Sequence, residues 1–299
     1  MTALQSLLLL TLFAADPLTP GNHTRTLDVG GRGRSYLVHV PVDYNPETPT
    51  PVVLALHGAG MNGWMMAFFS GLSETSDKNG FVVVYPNGTG RGPFQVWNAG
   101  GFGSGVREHL PDDVAFIDAL LDDLETVVHV DKKRVFACGM SNGAMMSYRL
   151  AAELSLRIAA IAPVAGTIAI SESKPQRAVS VLHFHGTLDN FVRYEREDDG
   201  SEVWRMKGVE PSIEIWVKRN ECDETPSVDV LSPEGDELKV IRKIYSGGID
   251  DTEVVLVTVE GGGHTWPGRT PGLKILGKSA MSISASEMIW EFFQKHPMK

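Results

Sequence analysis

Arg134-Val-Phe-Ala-Cys-Gly-Met-Ser141-Asn-Gly-Ala-Met-Met-Ser-Tyr-Arg-Leu-Ala-Ala152 is the stretch whose reading decides the fold. Its first five residues read as a strand carrying the apolar run Val135-Phe-Ala-Cys138, and a helical pattern begins at Asn142, so strand passes into helix across Gly139-Met140-Ser141-Asn142-Gly143. A turn that tight brings backbone against backbone, and small residues are needed two positions either side of the serine. A serine on such a turn presents its hydroxyl at the end of a sheet. The alternative, an ordinary serine in a glycine-rich turn, has to be kept because the chain has 31 glycines. The flanking strand and helix are what raise the pattern above composition.

Outward from this turn, short apolar runs alternate with helical periodicities, the signature of a mostly parallel sheet covered by helices on both faces. Strands are expected at 35–40, 51–56, 80–85, 134–138, 158–164, 179–184, 239–245 and 254–260. Val52-Val-Leu-Ala-Leu56 and Phe81-Val-Val-Val-Tyr85 are continuous apolar runs, which places them mid-sheet. Helices are expected at 112–128, 142–154, 211–220 and 282–295. The turn clusters 41–51 and 86–93 read as loops, 223–236 as a loop or edge connection, and 193–208 as a charged excursion too short for a large lid domain. No repeat or long linker divides the chain, so one domain over 35–299 is the economical reading, preceded by an extension over 16–34.

The chain has 299 residues, with 27 Lys and Arg against 37 Asp and Glu, a net charge of −10. A surface of that sign repels phosphate backbones and anionic lipid heads, which argues against nucleic acid as a partner. Residues 1–15 carry an apolar run of signal-peptide length, too short to span a bilayer, so the protein is expected to be secreted or periplasmic without stable membrane insertion. Two cysteines, Cys138 and Cys222, allow at most one disulfide and no cysteine-rich zinc site. No spacing of His, Cys and Asp suggests a metal, and no cofactor is expected.

A serine hydroxyl is a weak nucleophile until a base takes its proton, and that base needs a carboxylate to hold its tautomer. Downstream of Ser141 the histidines are His183, His185, His264 and His296. His264, in Gly261-Gly-Gly-His-Thr-Trp-Pro-Gly268, directly follows the strand at 254–260 and is the best-placed base. Asp189 follows the strand at 179–184 and is the matching acid, while His183 and His185 read as residues that pack or hydrogen-bond to hold the acid loop. Asp112 and Asp113 open a helix and read as partners of its dipole.

Leu56-His57-Gly58-Ala59-Gly60 follows a buried strand and can aim the Ala59 N–H at a developing oxyanion, beside the Asn142 N–H. Gly58-x-Gly60-x-x-Gly63 also fits a dinucleotide fingerprint, but the strand ending at Tyr85-Pro-Asn87 lacks the acidic residue that would hold a ribose. Trp97 and Trp266 are candidate substrate-stacking residues, and Met140, beside the serine, is a third candidate contact.

Together with Tyr85-Pro-Asn-Gly88, Trp97-Asn-Ala-Gly100, Asp112-Asp-Val114 and Ala162-Pro-Val-Ala-Gly166, these motifs resemble, in order, the polyhydroxybutyrate depolymerase and feruloyl esterase-like family of secreted α/β-hydrolases. The resemblance runs from about Ser35 to Trp290. It implies the α/β-hydrolase fold and serine-esterase chemistry with Ser141, Asp189 and His264 as triad, Ala59 and Asn142 as oxyanion hole. The implied substrates are feruloyl or acyl esters of plant polysaccharide, or short polyhydroxyalkanoate-type polyesters. A peptidase on the same fold and a non-catalytic binding scaffold are the other readings. Similar proteins often pair a cysteine just after the Trp-Asn-Ala-Gly segment with one at the position of Cys222. Phe102-Gly103 stand there in this chain, so Cys222 is expected to lack that partner.

Overall fold

The computed structural model describes residues 16–100, 110–170, 175–195 and 206–299. The segment 1–15, Phe102-Gly103 and most of the charged excursion lie outside them.

The seven residues of β3 (Thr50–Leu56) are all buried, and so are the five of β4 (Val82–Pro86), as continuous apolar runs require. With β7 (Val130–Met140), β8 (Ala160–Val164), β9 (Ser180–Gly186) and β12 (Val254–Glu260) they form a parallel centre in the order β4-β3-β7-β8-β9-β12. Antiparallel strands extend both edges: β2 (Arg32–Val40) and β1 (Gly21–Val29) beyond β4, β11 (Lys239–Tyr245) and β10 (Ser227–Val230) beyond β12. The result is one ten-stranded sheet.

Alternation along the strands divides the core in two. Val52, Leu54 and Leu56 face a layer built from α3 (Asp113–Glu125), α4 (Asn142–Glu153) and α5 (Val209–Arg219), with Phe116, Leu120, Met146 and Trp216 inside it. Val53 and Ala55 face the layer of α1 (Gly63–Ser70), α2 (Leu72–Asn79) and α6 (Ala285–Lys295). There Phe81 stacks on Trp290 at 4.1 Å and Phe136 on Phe293 at 4.5 Å, which seats α6 on the sheet. Each such side chain removed from water contributes about 1.5–3 kcal/mol.

The structure departs from the sequence expectation at the edges. Residues 16–34 are more than an extension, because β1 pairs with β2 along its whole length around Gly30-Gly31, both at positive φ. Its inward positions include His23 and Arg25, and Arg25 donates to both carboxylate oxygens of Asp123 on α3 at 2.7 and 2.8 Å. Polar inward residues hid the alternation. The loop expected at 86–93 contributes to a hairpin of β5 (Thr89–Arg91) and β6 (Phe94–Val96), and 223–236 supplies the edge strand β10. Helices α1 and α2 were not expected; Asn62 caps the first by accepting from the Met65 N–H, and Gly71 and Gly80 end them at positive φ.

Candidate active site

Because β7, β9 and β12 run parallel, their carboxyl ends share one edge of the sheet, the edge where open α/β sheets place their ligands. Ser141 follows β7, Asp189 follows β9 and His264 follows β12.

Ser141 sits at φ 57° and ψ −119°, a strained conformation for a residue with a side chain. The surrounding glycines explain how the strain is held. A Cβ on Gly143 would lie 2.2 Å from the Leu56 carbonyl oxygen, one on Gly139 2.6 Å from the Gly143 carbonyl, and one on Gly166 2.3 Å from the Ser141 carbonyl. The Ser141 N–H donates to the Val164 carbonyl at 2.9 Å, so β8 fixes the turn from the other side. Gly166 is the third glycine that the elbow needs, and it was legible only as part of a motif.

Asp189 and His264 form a buried pair: His264 Nδ1 donates to Asp189 Oδ2 at 2.7 Å. A carboxylate can only accept here, so the proton is on Nδ1 and the Nε2 lone pair is left for a hydroxyl. Asp189 Oδ1 accepts from the Phe191 and Val192 N–H groups at 2.8 and 2.9 Å. The two loops are also joined through backbone: Leu188 N–H donates to the Gly262 carbonyl at 2.8 Å, and Thr187 N–H to the Val259 carbonyl at 3.0 Å. His264 N–H donates to the Leu276 carbonyl at 2.7 Å, which ties the base loop to its own return segment. Asp189 and His264 are therefore set against each other by main chain as well as by their own hydrogen bond. Among the described residues the Ser141 hydroxyl makes no hydrogen bond; such contacts commonly tighten only once substrate is bound.

His57, quoted in the sequence only as part of a motif, orients the loop beneath Ala59. The Gly88 N–H donates to His57 Nε2 at 3.0 Å, so His57 Nδ1 carries the proton and donates to the Gly58 carbonyl at 2.8 Å. Burial pushes His57 down to about 4, which keeps the ring neutral near pH 7. In a trans peptide the carbonyl and the following N–H point opposite ways, so pinning the Gly58 carbonyl inward turns the Ala59 N–H outward. Ala59 is exposed, as that requires. Asn142 opens α4, and its N–H is among the helix-terminal amides without an intrahelical acceptor. Its side chain accepts from the Trp97 N–H at 2.7 Å and donates to the Trp97 carbonyl at 3.2 Å.

That last bond corrects the expectation for the aromatics. Trp97 is 0% exposed; its indole N–H donates to the His57 carbonyl at 3.0 Å and its ring lies 4.9 Å from the His57 ring. Trp266 is 1% exposed, donating to Ser286 Oγ at 3.0 Å. Met140 is buried because β7 alternation turns it into the layer of α1, α2 and α6. All three are buried and none offers free surface to a substrate. An exposed aromatic does lie beside the pair: Phe191 is 51% exposed with its ring 5.1 Å from that of His264. Its place two residues after Asp189 was the available signal.

Asp113 has a role beyond the one expected. Asp112 caps α3 by accepting from the Val114 and Ala115 N–H groups, but Asp113 is fully buried, paired with Arg34 at 2.7 Å and accepting from the Asn98 N–H at 2.7 Å. In the first turn of α3 it is placed to complement the helix dipole as expected, and it also anchors the Trp97-Asn98 segment. Gly63, the last glycine of the dinucleotide-like pattern, is required by packing, since a Cβ there would lie 2.4 Å from the Tyr85 carbonyl. Cys138 and Cys222 are both buried and free.

The family model described as Phospholipase/Carboxylesterase matches residues 103–207. The chain is 29% identical over 289 residues to NocK of Nocardia uniformis subsp. tsuyamanensis, which is designated an esterase, covering 90% of this chain and 81% of that one. It is 26% identical over 308 residues to feruloyl esterase C of Emericella nidulans, covering 97% and 98%. Among solved structures, an acetyl xylan esterase from Aspergillus awamori superposes with a TM-score of 0.61 at 16% identity, over 91% of this chain and 99% of that one, a likeness of fold.

Proposed function

We propose that this chain, a carboxylic ester hydrolase of the α/β-hydrolase fold similar to the feruloyl esterases, works through Ser141 as nucleophile, His264 as base and Asp189 as acid. The observation that carries the reading is the strained Ser141 elbow at the sheet edge that also bears the buried Asp189–His264 pair. His264 Nε2 takes the Ser141 proton as Oγ attacks the ester carbonyl. The carbonyl oxygen, now negative, lies against the Ala59 and Asn142 N–H groups, and one such donor is worth about 10²–10³ in rate. Collapse of the tetrahedral intermediate passes the proton from His264 to the leaving alcohol and leaves an acyl group on Ser141. Water, deprotonated by His264, releases the acid and restores the serine.

The acyl group is an aromatic one, feruloyl or similar, attached to plant polysaccharide. Two things support this choice: relatives named feruloyl esterase, and the exposed Phe191 face beside His264, which suits a stacked ring. Residues 1–15 serve as an export signal, so the enzyme meets its polymer outside the cytoplasm.

The test is kcat/KM for methyl ferulate, p-nitrophenyl acetate and p-nitrophenyl butyrate, with the Ser141→Ala protein as blank. Methyl ferulate is expected to be the best of the three after allowance for leaving-group reactivity. A preference for butyrate would replace the feruloyl assignment with a short polyester, and failure to cleave any of the three would overturn the esterase mechanism.

A further inference from the structure

Behind Asp189 lies a chain of buried polar groups that the reaction scheme leaves unused. Tyr148 Oη is 2.8 Å from His183 Nδ1, His183 Nε2 is 3.0 Å from His185 Nδ1, and His185 Nε2 is 2.8 Å from the Val192 carbonyl oxygen. Tyr148 and His183 are 0% exposed and His185 2%, and burial pushes both histidines below the usual imidazole range, so both are neutral. The proton positions follow from the far end. A carbonyl cannot donate, so His185 Nε2 carries its proton and Nδ1 accepts from His183 Nε2–H, which leaves His183 Nδ1 to accept from the Tyr148 hydroxyl. Every donor in the chain points the same way, toward the acid loop.

The chain reaches Asp189 through Val192, with the His185 ring beside the carboxylate. Val192, whose carbonyl takes the His185 proton, gives its own N–H to Asp189 Oδ1. His185 Nε2 itself lies 3.4 Å from Asp189 Oδ2, the oxygen that holds His264, while its N–H is given to the Val192 carbonyl. Plain core packing would be served as well by two phenylalanines; an aligned and fully satisfied hydrogen-bond chain is costlier to build and fixes one geometry.

We propose that His185, oriented by Tyr148 and His183, is a positioning residue that holds the Asp189 carboxylate turned toward His264. The proposal rests on the serine-hydrolase reading. Its loss lets the carboxylate rotate within its turn, and misplacement by about 1 Å at such a site costs about 10²-fold in rate.

The experiment compares His185→Phe, His185→Gln and His185→Asn with the wild type and with Ser141→Ala, using p-nitrophenyl acetate and counting active sites by the burst of p-nitrophenol. Gln carries its amide N–H to the place of Nε2, whereas the shorter Asn does not reach it. Per active site, His185→Phe is expected to lose about 10²-fold in kcat with KM little changed. His185→Gln recovers most of that loss and His185→Asn recovers less. Should His185→Phe fail to fold, the order of Gln over Asn carries the same test. Full kcat in His185→Phe, or equal losses in Gln and Asn, overturns the positioning role. Activity persisting in Ser141→Ala instead overturns the serine-hydrolase reading, so the two failures are distinct.

Discussion

Ser141→Ala and His264→Ala are each expected to lower kcat by on the order of 10⁶, and the double variant is expected to lose little more. Without the lone pair of His264 Nε2 the hydroxyl keeps its proton, and without the hydroxyl the imidazole has nothing to activate. Nδ1 of His264 is already committed to Asp189 at 2.7 Å, so the ring has one nitrogen to offer and no alternative way to work. The residual rate in all three variants is expected to come from the proposed Ala59 and Asn142 donors and from substrate binding. Stopped assays at high enzyme concentration measure it. Losses that multiply in the double variant would mean that the two residues act independently, contrary to the mechanism.

Asp189→Asn is expected to cost about 10⁴ in kcat while leaving the fold intact. The amide is isosteric, and its oxygen can still accept from the Phe191 and Val192 N–H groups that hold Oδ1. Its NH₂ group then faces His264 Nδ1. That nitrogen is driven to accept, the ring proton moves to Nε2, and the base presents a donor where the serine needs an acceptor. Thermal melting measures the fold and kcat the tautomer. A small kcat loss at unchanged melting temperature would show that Asp189 does not control His264.

Much of this was legible in the sequence because strand and helix on either side of Gly139-x-Ser141-x-Gly143 leave few architectures open. The buried runs Val52–Leu56 and Phe81–Tyr85 announced a parallel centre, and β3 and β4 lie there with every residue buried. The positions after strands picked out Asp189 and His264, which the fold brings to hydrogen-bonding distance. The sheet edges were harder, since β1 turns Arg25 toward a carboxylate where a periodicity argument looks for an apolar residue. The tryptophans misled for a related reason. Trp97 and Trp266 look like binding surface in a glycine-rich sequence, but each indole N–H finds a buried acceptor that no linear pattern reveals. The roles of His57 and Asp113 are likewise tertiary, made by partners 31 and 79 residues away.

The most direct test of the account is to quench p-nitrophenyl butyrate turnover in acid during the burst and map the acyl group by peptide mass spectrometry. One butyryl group per enzyme is expected, on the peptide containing Ser141, and none in Ser141→Ala. A butyryl group on another residue, or a labelled Ser141→Ala protein, would contradict it.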